Sequence, residues 1–249
     1  MGKKGRSRHL KRYPAPRDWP IHRKEYKWVV KPIPGPHSID SCLPLLIIIR
    51  DILKIAKNRR EVKIILSNDN VRVNGKVIRD DAFPVGLMDV IDIPEFQKTY
   101  RIVTTVKKGY TLHPIKGEEK EFKLCKVKNK TTVKGGQIQL NLNDGQNKLI
   151  EVADPDNPVE DVYKTIDVLK ISIPEGEIIG HIRFKEGIVA LITGGKNRGY
   201  RGKLTRIEKK GSLHLPIVTI EGKGVQFKTS LNNVFVIGDV EPWISLPEV

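Results

Sequence analysis

Between Leu43 and Asn68, apolar residues stand at positions 45, 46, 48, 49, 52, 53, 55 and 56, the spacing of one helix. On such a helix Arg50, Lys54 and Lys57 fall at i, i+4 and i+7 and share a face. Asn58 followed by Glu61 reads as a capping pair that opens a second helix carrying Val62, Ile65 and Leu66. The period then drops to two. VRVNGKVI alternates about Asn74-Gly75, a dipeptide suited to a two-residue hairpin because both positions accept positive φ. DVIDI, Asp89 to Ile93, is a further short strand.

Downstream the pattern is strand after strand. YRIVTTV, FKLCKVK, QIQLNL, KLIEV and DVLKISI are separated by Gly109, Gly117, Gly135-Gly136, Asp144-Gly145 and Asp154-Pro155. After Glu175 come GIVALIT, GKLTRI, LPIVTI, VQFKT and NVFVIG, five strands, the number in a small closed barrel. The first 42 residues keep neither period. Pro14, Pro16, Pro20, Pro32, Pro34 and Pro36 interrupt any helix there and predict extended backbone. The expected fold class is α+β and multidomain. It comprises a basic extended N-terminal arm (1–42), an αα-hairpin/β unit (43–93), a central β domain (94–174) and a barrel with a C-terminal tail (175–249).

Charge adds a partner class. The chain of 249 residues has a net charge of +16 and a pI near 9.8. A small domain kept soluble by charge needs only ~2–8, so the excess favours a polyanion whose condensed counterions are released on binding. The surplus is uneven. Residues 1–31 hold 11 Lys/Arg against 2 Asp/Glu, and residues 181–249 hold 11 against 6, whereas 94–180 are nearly balanced at 14 against 13. In the arm Tyr13, Trp19, Tyr26 and Trp28 alternate with cations, a mixture that meets phosphates and stacks on exposed bases.

A membrane is not expected: the longest apolar run is LPLLIII, against the ~18–20 residues a span needs. No apolar segment follows the basic start as in a signal peptide, and Arg6 stands where a myristoylation motif wants Ser or Thr. Cys42 and Cys125, far apart, exclude a disulfide framework and a paired-cysteine zinc site, and both read as small buried hydrophobes.

Phosphate chemistry concentrates in VALITGGKNRGYRGKLTRIEKK, Val189 to Lys210. A mononucleotide P-loop fails here, since Leu204 replaces the Mg²⁺-binding hydroxyl and Asn197 the first glycine. Gly194 and Gly195 predict a positive-φ turn with outward N–H groups, and Gly202 predicts a bulge or close backbone approach. Catalytic motifs such as H-E-x-x-H and G-x-S-x-G are missing, and the six histidines are scattered. The reading is a binding protein, not an enzyme, with no cofactor, metal or small-molecule substrate.

IVALITGGKNRGYRGKLTRI resembles a KOW motif of ribosomal proteins and transcription elongation factors. The segment from Leu43 to Ile93, ending VNGKVIRDDAFPVGLMDVIDI, is similar to the S-four RNA-binding domain. Together with HLKR, GPHSIDSCLPL, FKLCKV, NNVFVIG and PWISLP in this order, the whole chain resembles ribosomal small-subunit protein four of the archaeal and eukaryotic type. The resemblance implies a structural constituent of the small subunit, in the cytoplasm on the ribosome, with small-subunit ribosomal RNA and neighbouring ribosomal proteins as partners. It also implies an SH3-like KOW barrel at the C-terminus, and the short end after PWISLP points to an archaeal source. S-four domains commonly place glycine before the aspartate of the last strand. Here Met88 precedes Asp89, and Gly86 is positioned to serve the turn instead.

The expected RNA contacts form three groups. In the arm they are Lys3, Lys4, Arg6, Arg8, Lys11, Arg12, Arg17, Trp19, Arg23 and Lys24. In the helical unit they are Arg50, Lys54, Lys57, Arg59, Arg60 and Lys76. Around the turn they are Lys196, Asn197, Arg198, Tyr200, Arg201 and Lys203. Two other classes stay open: a KOW-containing transcription elongation or antitermination factor, and an RNA-modifying enzyme with an appended S-four domain.

Overall fold

The helix expected from 45 to 56 is shorter and wider than its spacing predicts. In the computed structural model, which describes residues 7, 9–106, 109–152, 159–208, 216–222 and 224–247, α1 spans only Leu45–Ile47. It continues as a π-helical turn, Ile48–Ile52. Leu53 N–H closes the turn on the Ile48 carbonyl at 2.9 Å, and Lys54 ends it in the left-handed region, φ 55°. Leu45 through Ile49 are all at most 3% exposed. A helix apolar all round is buried all round, so no basic stripe runs along it. α2, Arg59–Ser67, opens as its sequence predicts: Asn58 Oδ1 accepts from Glu61 N–H at 3.0 Å, and Glu61 Oε2 accepts from Lys57 N–H at 2.7 Å.

Contacts divide the chain into two units, Met1–Ile102 with Lys108–Pro114, and Val103–Lys107 with Ile115–Val249. In the first, β1 (Leu10–Lys11) pairs with β2 (Trp28–Val29), and β3 (Cys42–Pro44) leads into α1. The hairpin β4 (Arg72–Val73) and β5 (Lys76–Val77) turns through Asn74 and Gly75 at φ 50° and 76°. β6 (Pro84–Gly86) pairs with β3, and β7 (Val90–Ile93) precedes β8 (Lys98–Thr105) and β9 (Gly109–Ile115), whose last residues, 103–105 and 115, fall in the second unit. One sheet has the order β5-β4-β7-β8-β9. Its core unites the α1 apolar residues with Val62, Leu66, Ile91 and Ile102.

The described part of the N-terminal segment is not a free extended arm. Ala15 and Trp19 lie in that same core, with Trp19 3% exposed and its indole N–H donating to the Cys42 carbonyl at 2.7 Å. Arg23 donates to the carbonyl oxygens of Arg12, Tyr13, Ala15 and Pro16 at 2.8–3.2 Å. Proline removes regular structure here, and guanidinium groups replace it as the donors that close the loops.

Met88, not Gly86, supplies the turn before Asp89: Met88 has φ 69°, while Gly86 is absent from the positive-φ glycines. Gly86 answers a different need. A Cβ there would lie 2.4 Å from the His37 ring.

In the second unit a sheet of order β12-β11-β10-β13-β14 is built from β10 (Phe122–Thr132), β11 (Ile138–Leu142), β12 (Asn147–Ile150), β13 (Val168–Ser172) and β14 (Ile178–Ile182). Cys125, Val127, Leu140, Leu169 and Ile171 form its core. The other sheet has the order β18-β17-β16-β15-β19, from β15 (Val189–Ile192), β16 (Arg201–Glu208), β17 (Ile217–Gly222), β18 (Val225–Ser230) and β19 (Val234–Gly238). β9 and β14 are absent from the strands the sequence predicts. GYTLHPI has no alternation and carries Pro114, and IIGHI is split by Gly180, which packs against the Trp243 ring. Because β14 pairs with β13, residues 178–182 belong to the middle sheet, beyond the expected boundary at 174.

Candidate nucleic-acid interface

Although the helix stripe does not form, Arg50, Lys54 and Lys57 still meet. They line a cleft of about 630 Å³ with Arg12, Arg59 and Tyr26. Lys54 and Lys57 reach it from the loop after the π turn, where the left-handed backbone at Lys54 redirects the chain. The arginines there are held by carboxylates. Arg50 Nε and Nη2 donate to Asp51 at 2.7 and 2.9 Å, and Arg59 Nε and Nη2 donate to Asp81 at 2.5 and 3.1 Å. These hydrogen bonds raise the pKa of both guanidinium groups further still, so both stay charged. Each fork keeps a second edge of N–H groups for a phosphate. Lys54 and Lys57 are exposed and form no ion pair among the described residues.

Three of the expected contacts prove structural. Trp19 is core. Arg12 is 6% exposed, and its guanidinium donates to the His22 carbonyl at 2.5 Å and the Trp28 carbonyl at 3.3 Å. Arg23 ties the loop that follows β1, as described. A buried indole cannot stack on a base, whereas Tyr13, Tyr26 and Trp28, 73%, 64% and 50% exposed, leave ring surface open. Trp28 lies 5.6 Å from the His9 ring with Lys27 Nζ 5.3 Å from its centroid, and the Arg12 guanidinium sits 4.9 Å from the Tyr26 centroid. His9 and Lys27 thereby join Tyr26 and Trp28, which their alternation with cations already marks in the sequence, as site candidates.

Lys11, Arg17, Lys24, Arg60 and Lys76 are exposed, outside the cleft. Lys3, Lys4, Arg6 and Arg8 lie outside the described residues.

In the second unit the segment 193–200 is a tightly bonded turn between β15 and β16. Gly199 N–H donates to the Ile192 carbonyl at 2.8 Å, and Ile192 N–H to the Tyr200 carbonyl at 2.9 Å. Arg198 and Tyr200 N–H groups bond to Gly195 and Asn197 within the turn at 3.4 Å. These amides point inward, so the outward nest expected from Gly194-Gly195 is not built by residues 198–200. Gly195 has φ 79° as expected, whereas Gly194 is closed in by Asn233. A Cβ on Gly199, φ 86°, would strike the Thr105–Val106 backbone at 2.3 Å. Lys196 and Lys203 stand exposed, Arg198 and Arg201 half-buried, and Asn197 Nδ2 donates to the Lys228 carbonyl at 3.3 Å. Tyr200 stacks on Phe227, centroids 4.1 Å apart. Among the described residues no cluster of His, Cys, Asp or Glu is placed to hold a metal, and no helix is long and apolar enough to cross a membrane.

Comparison with known proteins gives the family. The small ribosomal subunit protein eS4 of Staphylothermus marinus is 53% identical over 249 residues, covering 100% of this chain and 99% of that one. This chain belongs to the ribosomal S4e family. The eS4 of Methanocaldococcus jannaschii is 50% identical over 247 residues, 99% of this chain and 100% of its own. The crystal structure of the 30S ribosomal protein S4e of Thermoplasma acidophilum superposes with a TM-score of 0.67 at 33% identity, covering 80% of this chain and 96% of that one. Models for "Ribosomal family S4e", the RS4NT domain and the 40S ribosomal protein S4 C-terminus match residues 96–178, 4–40 and 222–249. The S4 domain model matches 44–91, a stretch that includes the cleft residues Arg50, Lys54, Lys57 and Arg59.

Proposed function

We propose that this S4e-family chain is a structural constituent of the small ribosomal subunit, binding ribosomal RNA and taking part in translation. Identity of 50–53% with small-subunit eS4 proteins over 99–100% of the chain carries this reading. The cleft supports a mechanism: phosphates meet Lys54, Lys57 and the outer edges of Arg50 and Arg59, while Tyr26 and Trp28 offer ring faces to bases. Lys196, Arg201 and Lys203 form a second group of phosphate contacts. Phosphate contacts position the protein, and stacking adds selectivity for exposed bases.

We further read the organisation as four modules: the N-terminal segment, the S4 domain, the middle β sheet continued to β14, and an SH3-like KOW barrel formed from β15 to β19. The role is architectural and non-catalytic, exercised on the ribosome beside neighbouring small-subunit proteins. Sedimentation of the tagged protein after a high-salt wash tests the whole. Stoichiometric retention in the small-subunit peak is expected. Recovery with RNA polymerase or in light fractions would remove the ribosomal reading. With ~6–10 phosphate contacts, RNA affinity falls ~10³–10⁵-fold between 50 and 200 mM salt.

A further inference from the structure

Beside the basic turn, the β16–β17–β18 face carries a recess that cationic binding does not explain. Its volume is about 460 Å³, within the ~300–1,000 Å³ of small-molecule sites. Gly202 and Gly222 face each other across β16 and β17. A Cβ on Gly202 would lie 2.0 Å from the Glu221 carbonyl oxygen, and one on Gly222 would lie 2.1 Å from that of Arg201. No side chain fits at either position, so this part of the lining is bare backbone. Tyr200 and Phe227, stacked at 4.1 Å and 20°, form one wall, and Val189 and Val225 add apolar surface. Val225 is 52% exposed. Arg201 and Lys203 stand at the rim with a single carboxylate, Glu221.

A phosphate is a poor occupant: the walls are apolar, and Glu221 repels an anion. A nucleobase fits both features, because its π face continues an aromatic stack and an exocyclic amine donates to a carboxylate. The cationic rim then suits the phosphates on either side of the base. We propose that this recess takes one unpaired, amino-bearing nucleobase of the small-subunit ribosomal RNA, stacked on the Tyr200–Phe227 pair and read by Glu221. The proposal rests on the ribosomal reading above.

Full-length tagged protein with Val225 replaced by p-benzoylphenylalanine tests it in small subunits irradiated after purification. An adduct mapped to a ribosomal RNA nucleotide is expected; an adduct only to another protein, or none, overturns the proposal. Failure of the tagged protein to sediment with the subunit, seen before irradiation, would instead sink the ribosomal reading. A binding measurement guards against a perturbed variant. The unmodified chain should prefer oligocytidylate to oligouridylate of equal length about tenfold, and Glu221→Ala, a change at an exposed position, should abolish the preference. Equal affinities in the unmodified chain, or a preference that survives Glu221→Ala, would overturn the assignment.

Discussion

His37 Nε2 lies 2.8 Å from Asp89 Oδ2, with both side chains at most 3% exposed. The same carboxylate accepts from Gly86 N–H and from Asn74 Nδ2, each at 2.8 Å. One aspartate thus joins the segment before β3, the β4–β5 turn and the entry to β7. Replacing Asp89 by Ala strands several donors, each costing about 1–3 kcal/mol, so a loss of roughly 3–5 kcal/mol is expected. Denaturant unfolding followed through Trp19 and Trp28 fluorescence measures it. A loss below about 1 kcal/mol would mean the network is incidental.

Met88 poses two opposed effects at one position: its backbone is left-handed, φ 69°, and its side chain is 1% exposed. The backbone costs of order 1–3 kcal/mol for a non-glycine residue, while emptying a buried Met site costs about 2–5 kcal/mol. Packing wins, so Met88→Gly is expected to destabilise by about 1–3 kcal/mol. Met88→Ala empties the site and keeps the strain, so its melting temperature should be no higher than that of the glycine variant. An alanine variant clearly more stable than the glycine one would contradict a strained turn.

Binding and structure separate within the cleft. Lys54 and Lys57 are exposed and outside any described ion pair, so changing both to Ala should alter stability by no more than about 0.5 kcal/mol. The same change should lower the slope of log affinity against log salt by about 1.5. Arg59→Ala is different. It leaves the Asp81 carboxylate, 5% exposed, without its partner, at a cost of about 1–3 kcal/mol. Salt-dependent RNA titrations with parallel melts distinguish the two behaviours; a Lys54/Lys57 variant that binds normally would remove the cleft from the interface.

Local signals were legible in the sequence wherever one residue type answers one backbone demand. Asn58 with Glu61 gave the α2 cap, Asn74-Gly75 the hairpin, and Gly202 the close approach of strands. Long-range burial was not legible. Nothing local tells that Trp19 ends beneath the Cys42 carbonyl while Trp28 stays half outside, since both sit among prolines and cations. The stripe Arg50, Lys54, Lys57 assumed a 3.6-residue helix, and burial on every side of Leu45 to Ile49 favoured a short one that widens and stops. The residues nevertheless converge, because the loop that replaces the helix delivers the lysines to the same cleft.

Cys42 is fully buried, and burial, with Asp40 and Asp89 nearby, pushes its thiol up to about 12. The thiolate is the reactive form. At pH 8 the native protein should therefore resist alkylation at Cys42 for hours and react promptly once denatured, as followed by intact-mass analysis. Rapid native labelling would show that β3 opens readily.

Lys126 makes the pH dependence specific. Its ammonium donates to the Asn232 and Val234 carbonyl oxygens at 3.2 and 2.8 Å, bridging the middle sheet to the approach to β19. Burial lowers its pKa from the ordinary 10.5 to about 8. Between pH 8 and 10.5 the unfolded chain holds the proton that the folded chain has released, so stability from this group rises with pH there, by up to about 1.4 kcal/mol per unit. Below pH 8 both states are charged, and the desolvation cost is constant and fully present. Lys126→Met removes the titration while keeping an apolar stem. Other lysines titrate identically in both proteins, so the informative quantity is the difference between the two stability curves. It should be flat from pH 6 to 7.5 and then turn in favour of the unmodified chain from pH 8 to 10. Parallel curves across that range would mean that Lys126 keeps its proton in the folded state, with carbonyl contacts strong enough to offset its burial.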